Sequence, residues 1–193
     1  MTALTERFDR AMARAAELHR GQMRKASNVP YISHPMAVAA LVLEHMGTEA
    51  QAIAALLHDV LEDTPLTEAE LRTEFGGDVA DIVVACSDTM DHDAKAPWRQ
   101  RKEGYLAHLA DAPDDALLVV VADKLHNARS IATDLERIGP ALWDRFTTAD
   151  PADQEWYFRS VAAQLAGRLP HHPLAVQLSE TVEAIWPSRP GSR

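Results

Sequence analysis

An all-α fold is the class this sequence predicts, on three observations. Apolar residues recur at helical spacing through most of the chain, and capping residues and helix breakers fall between those stretches. Only one run, "ALLVVVAD" at 116–123, has the continuous β-branched character of a buried strand. With no partner strand elsewhere, that run is assigned to a buried helix. The expectation is one bundle of about eight to ten helices over residues 1–187, with a disordered tail at 188–193.

The elements follow in order. From Thr5 to Arg20, Phe8, Met12, Ala15, Ala16 and Leu18 recur at helical spacing with charges opposite, the pattern of an amphipathic first helix. "GQMRKASNVPYISHP" carries Gly21, Ser27, Asn28, Pro30 and Pro35 and is predicted as an ordered loop, with Pro35 near the first turn of the next helix. Helices are then expected over Pro35 to His45 and Glu49 to Glu62, divided by Gly47 as a stop and Thr48 as an N-cap, and closed by Pro65. Thr67 with Glu70 is a capping-box pattern for a short helix that stops near Gly76 and Gly77, and Asp78 to Cys86 is another. "DHDAKAP" is a polar linker. Trp98 to Asp111, Asp114 to Leu135, Gly139 to Thr147, Pro151 to Leu169 and Leu174 to Ile185 complete the helical reading. Met12, Met36 and Met46 are expected in the core.

The chain has 193 residues, 47% of them hydrophobic, enough to build one core. A formal charge of −10 argues against a surface built to coat nucleic acid or an anionic membrane, so any anionic ligand has to be met by local cations. Cys86 is the only cysteine, which rules out an intrachain disulfide and fits a reducing compartment. The opening "MTALTERFDR" carries charge where a secretory signal needs an apolar run, and no stretch reaches the ~18 apolar residues of a membrane span. A cytoplasmic protein is expected.

"LLHDVLEDT" at 56–64 sets four ionisable side chains where an apolar stretch ends. Burying such groups without partners costs several kcal/mol each, so they must be paired, solvated or metal-bound. In a helix His58 stands over Glu62, and Asp59 over Asp63. Imidazole nitrogen with carboxylate oxygen suits Mn²⁺, Fe²⁺ or Zn²⁺ better than Ca²⁺. One helix supplies two such ligands, and the rest are sought in other apolar settings: the loop residue His34 in "YISHP" and Asp123 in "VVVADKLHN". Asp123 and Asn127, four apart, present a carboxylate and an amide on one face. Read singly, each has a plainer role: His34 as a loop or cap residue, Asp123 paired with Lys124 or Arg129, and Glu62 with Asp63 as an acidic helix end. Taken together they favour metal. His45, His92, His108, His171 and His172 lack that context and are read as surface or packing residues.

Five motifs, "AELHRGQMRK", "PYISHPMAVA", "AALLHDVLEDT", "FGGDVADIV" and "VADKLHNAR", run in an order that resembles the HD-domain phosphohydrolases, and within them the RelA/SpoT-type alarmone hydrolases. The resemblance spans roughly Phe8 to Leu165 and is strongest with the small, stand-alone hydrolases. It implies an all-helical fold with one divalent metal, usually Mn²⁺, and hydrolysis of the 3′-pyrophosphate of guanosine tetra- or pentaphosphate. By that resemblance His34, His58, Asp59 and Asp123 are the metal ligands and Glu62 and Asp63 the catalytic acidic pair; Asn127 lies near the nucleotide sugar, and Arg24 and Lys25 form a basic pair at the pocket mouth. The chemistry expected is attack of an activated water on phosphorus, with Glu62 and Asp63 orienting that water and moving its proton. "WRQRK" at 98–102 and "DKLHNAR" at 123–129 are either an extension of the basic rim or solvated helix faces. Other readings are a phosphohydrolase of an adenosine alarmone, a dinucleotide cofactor phosphate or a 5′-monophosphate, a non-catalytic metal- or nucleotide-binding module, and a purely structural polar cluster.

Overall fold

Side-chain caps set several of the helix starts. The computed structural model describes residues 3–24, 28–87, 96–146, 148 and 150–188. The Thr5 hydroxyl accepts from the Arg7 amide to open α1 (Glu6–Leu18), and Asp150 does the same for α8 (Pro151–Arg168). Full capping boxes, Thr48 with Gln51 and Thr67 with Glu70, open α3 (Glu49–Leu57) and α5 (Glu68–Cys86). With α2 (Ser33–Glu44), α4 (Val60–Asp63), α6 (Trp98–Ala110), α7 (Asp114–Ile138), a 3-10 helix (Gly139–Arg145) and α9 (Pro173–Ile185), the described residues form an all-helical bundle. The one extended pairing among them is an isolated bridge between Met23 and Pro30 in the loop before α2.

Helix α7 is the axis, packing on α2, α3, α5, α8 and α9. Its first half is buried from Ala116 through Leu125, apart from the half-buried Leu118 and Lys124, and so the β-branched run is helical without a sheet. Helix α3 is buried from Gln51 to Leu57, each large apolar side chain contributing roughly 1.5–3 kcal/mol. This carries the chain into the core just before His58.

Four expectations need correction. The helix expected over Glu49 to Glu62 is broken: α3 ends at Leu57, His58 and Asp59 form a turn, and α4 resumes at Val60. At the break His58 Nδ1 lies 2.8 Å from the Ala55 carbonyl, the acceptor a continuing helix offers to the Asp59 amide. His34 belongs to the first turn of α2 rather than to the preceding loop. The segment after α7 is a 3-10 helix that ends at Arg145. Met12, Met36 and Met46 are 41%, 49% and 75% exposed, because the buried stripes of α1 and α2 run through Phe8, Ala11 and Ala15 and through Pro35, Val38, Ala39 and Val42. Met46 follows the end of α2 at φ 62°. The break expected near Gly76 is present as a kink within α5, with Gly76 at φ 81° and ψ 165°. Lys25, residues 91–95 of the expected linker and residues 189–193 of the expected tail lie outside the described residues.

Candidate metal centre and adjoining cavity

His34 on α2, His58 and Asp59 in the α3–α4 turn, and Asp123 in the middle of α7 meet in the core. Both imidazoles are almost fully buried, 1% and 2% exposed. Their Nε2 atoms face each other at 3.2 Å. Asp59 Oδ2 lies 3.0 Å from His58 Nε2 and 3.6 Å from His34 Nε2, while Asp123 Oδ1 lies 3.1 Å from His34 Nε2 and 3.6 Å from His58 Nε2. Donor atoms of His34, His58 and Asp59 all fall within 4.8 Å of one another, and Asp123 faces that triad through its contacts with both rings.

The donor chemistry fits a divalent cation. His58 Nδ1 is committed to the Ala55 carbonyl at 2.8 Å and must donate to it. His34 Nδ1 lies 2.8 Å from His126 Nδ1. When His34 donates there, both Nε2 atoms carry lone pairs, and they converge with two carboxylates on one point. That arrangement is satisfied by a cation between them. Without one, a proton takes its place: burial opposes a charged His58, yet Asp59 and Asp123 outweigh burial and raise its pKa well above the ordinary value. Burial lowers the pKa of His34. Burial also lowers His126, with His34 and Arg24 adding to the effect, to about 4. Asp123 is held well below the usual carboxylate range against the cost of burial, first by Lys124 and then by the two histidines. Asp59 is held low against burial by His58 and His34.

A second layer orients these groups. Asn127 Nδ2 donates to Asp123 Oδ1 at 2.6 Å, and Lys124 Nζ holds the other oxygen, Oδ2, at 2.8 Å. The Tyr31 hydroxyl donates to Asp59 Oδ2, and burial with that carboxylate beside it pushes the phenol pKa well up. Arg24 donates to Asn127 Oδ1 at 3.0 Å and to Ser130 Oγ at 3.3 Å. Glu62 and Asp63 project from α4 at the exposed rim, and Gln22 Nε2 donates to the Asp63 carbonyl at 3.1 Å. A cavity of about 640 Å³ opens over the cluster, and Arg24, Glu62, Asp63, Lys102, Asn127 and Tyr157 are among the residues that border it.

The structure therefore brings His34, His58, Asp59 and Asp123 together, with Arg24, Asn127, Glu62 and Asp63 around one cavity. Sequence reasoning missed His126, Tyr31 and Ser130; it had Lys124 as a plain pairing partner of Asp123, and the structure shows that pair. A signal existed for two of the three missed: Asp123, His126, Asn127 and Ser130 follow i, i+3, i+4, i+7, a polar stripe along one face of the helix. Tyr31 carried no such pattern.

The chain belongs to the HD-domain family: the family profile for the HD domain matches residues 11–149. More particularly, it is 40% identical over 132 residues to the Xenopus tropicalis guanosine-3′,5′-bis(diphosphate) 3′-pyrophosphohydrolase MESH1, covering 67% of this chain and 69% of that one. It is 41% identical over 126 residues to the Haemophilus influenzae protein described as guanosine-3′,5′-bis(diphosphate) 3′-pyrophosphohydrolase. That match takes in 62% of this chain but only 18% of the Haemophilus protein. A solved structure described as a metazoan orthologue of SpoT that hydrolyses ppGpp superposes with a TM-score of 0.76 at 28% identity, covering 95% of this chain and 98% of the other. Among the described residues no helix is long and apolar enough to cross a membrane.

Proposed function

We propose that this chain is a metal-dependent 3′-pyrophosphohydrolase of guanosine tetra- and pentaphosphate, releasing pyrophosphate and GDP or GTP. The observation that carries it is the convergence of two imidazole Nε2 atoms and two carboxylates, at 3.0 to 3.6 Å, beneath a cavity with an acidic pair and an arginine at its border. The names of the relatives and of the solved neighbour support the substrate.

In this reading His34, His58, Asp59 and Asp123 hold one divalent cation, Mn²⁺ in our assignment, which supplies Lewis-acid polarisation of a phosphoryl oxygen and of water. Glu62 and Asp63, on the rim just past Asp59, orient the water and carry its proton towards the leaving 3′-oxygen, an effect typically worth ~10²–10⁴-fold. The bond broken joins the ribose 3′-oxygen to the proximal phosphorus, the bond formed joins that phosphorus to the water oxygen, and the proton released ends on the 3′-hydroxyl. Arg24, held by Asn127 and Ser130, and its neighbour Lys25 meet the nucleotide's negative charge locally, as a protein of net charge −10 requires. A cytoplasmic setting suits such a substrate.

The test is pyrophosphate release from guanosine tetraphosphate by the purified chain after loading with Mn²⁺, beside Glu62→Ala and Asp63→Ala. Release by the wild type that falls at least a hundredfold in both variants, at undiminished metal content, is expected. A fully loaded wild type that releases no pyrophosphate rules the reading out.

A further inference from the structure

Glu62 and Asp63 stand on a helix of a single turn. Helix α4 makes its own bonds from the Asp63 amide to the Asp59 carbonyl at 2.9 Å and from the Thr64 amide to the Val60 carbonyl at 3.2 Å. The Asp63 carbonyl, at the end of the helix, lies outside that ladder. Gln22, in the loop after α1, takes it: Gln22 Nε2 donates to the Asp63 carbonyl at 3.1 Å. The base of this tie is itself fixed. The Gln22 amide donates to the His19 carbonyl at 3.1 Å, and the Gln22 carbonyl accepts from the Tyr31 amide at 2.9 Å.

His19 decides which way round the Gln22 carboxamide stands. Its Nδ1 lies 2.8 Å from Gln22 Oε1, an atom that only accepts, so Nδ1 carries a proton and donates. With its oxygen committed to His19, the carboxamide presents its NH₂ group to Asp63; turned over, it would set two acceptors against each other. The far ring nitrogen gives a second observation. His19 is 2% exposed, and its Nε2 has no hydrogen-bond partner among the described residues. A buried polar atom left unpaired lowers stability, and an apolar ring of similar size would avoid that loss. The contribution of this imidazole therefore lies in what Nδ1 orients. We infer that His19 and Gln22 are positioning residues for the acidic pair: His19 orients the Gln22 carboxamide, and Gln22 holds the end of α4 so that the Glu62 and Asp63 carboxylates meet the water over the metal centre.

That role rests on the proposed function and adds to it the means by which the pair is held in place. Glu62 and Asp63 border the cavity, whereas neither His19 nor Gln22 is among the described residues that line it. The two act on the reaction only through where α4 stands. Misplacing a reacting group by about 1 Å costs up to ~100-fold in rate, so loss of the tie belongs in kcat rather than in KM. His19 also packs on Tyr31, with ring centroids 5.0 Å apart, and the Tyr31 hydroxyl donates to Asp59 Oδ2. An aromatic replacement of His19 keeps that contact and deletes only the nitrogens.

The experiment follows pyrophosphate release from guanosine tetraphosphate by the Mn²⁺-loaded chain as wild type, Gln22→Ala, His19→Phe and His19→Asn. Metal content, urea unfolding and amide hydrogen exchange in α4 are read on the same samples. Gln22→Ala and His19→Phe are expected to lower kcat about tenfold at unchanged KM and metal content, and to speed exchange at the Asp63 and Thr64 amides. The urea midpoint of His19→Phe is expected at or above that of wild type, because the unpaired Nε2 is gone. His19→Asn, whose Nδ2 stands in for the Nδ1 donor, is expected to restore most of kcat. Unchanged kcat in Gln22→Ala, a loss that follows metal content or the urea midpoint, or a His19→Asn as slow as His19→Phe overturns the assignment. A wild type that releases no pyrophosphate, with exchange in α4 still dependent on Gln22, removes the activity and keeps the tie; unchanged exchange as well overturns both.

Discussion

The two histidines of the cluster owe their chemistry to what their far nitrogens touch. His58 is oriented by the Ala55 backbone carbonyl near the end of α3, which no side-chain substitution removes. His34 depends on a side chain, His126, whose Nδ1 lies 2.8 Å from its own. Outer-layer partners of this kind typically carry ~10–100-fold in metal affinity. His126→Ala is therefore expected to weaken Mn²⁺ binding by about that factor while the helical content is unchanged, as read by competition with a chelator of known affinity. Undiminished affinity would show that packing alone orients His34. Tyr31→Phe keeps the ring between His19 and His34 and deletes only the donor to Asp59 Oδ2. A loss of about tenfold in metal affinity is expected, and a change in KM alone would assign the hydroxyl to substrate instead.

At the scale of elements, two interruptions shape the site. The break between α3 and α4 turns the chain at His58 and Asp59, so that both side chains enter the cluster from successive positions. The kink in α5 is made by Gly76, whose φ of 81° and ψ of 165° lie in a region other residues avoid at a cost of about 1–3 kcal/mol. A Cβ there would also meet Asp78 Oδ1 at 2.9 Å and Arg7 at 3.3 Å. Gly76→Ala should therefore lower the stability read from urea unfolding by about 1–3 kcal/mol. Arg7 ties α1 to this kink through the Phe75 carbonyl and the Asp78 carboxylate. The guanidinium holds the Asp78 carboxyl below its usual range, so the contribution of the pair is present above the unfolded pKa of about 3.9 and is lost as pH falls through the lower folded value. Asp78→Asn should cost about 0.5 kcal/mol at neutral pH, since the pair is largely solvated, and the gap from wild type should close below about pH 4. A gap independent of pH would mean that the carboxylate's charge contributes nothing.

For the whole molecule, the proposed ligands come from α2, the α3–α4 turn and α7, so a bound cation cross-links the elements that form the core. An ion that binds only the folded chain stabilises it by about 2.7 kcal/mol at a hundredfold excess over Kd. For a chain of this size that corresponds to about 5–10 °C in Tm. Adding excess Mn²⁺ to the chelated protein should raise Tm by that amount, and Asp123→Ala should abolish the rise. An equal rise in that variant would place the ion elsewhere.

What the sequence determined on its own is local. Helix starts at Thr5, Thr48, Thr67 and Asp150, the break at Gly76, and the chemistry of His58, Asp59 and Asp123 follow from interactions within a few residues, and linear order displays these. The polar stripe of α7 was equally legible, although only Asp123 and Asn127 were read from it. The turn at His58 was not, because a side-chain nitrogen competing for the Ala55 carbonyl depends on a rotamer that packing selects. Only the tertiary structure set His34 opposite His126, Tyr31 against Asp59, and Lys102 beside Tyr157. These pairs join segments far apart in sequence, and their distances are decided by how the buried faces of α2, α3, α6, α7 and α8 fill space together rather than by any residue's neighbours along the chain.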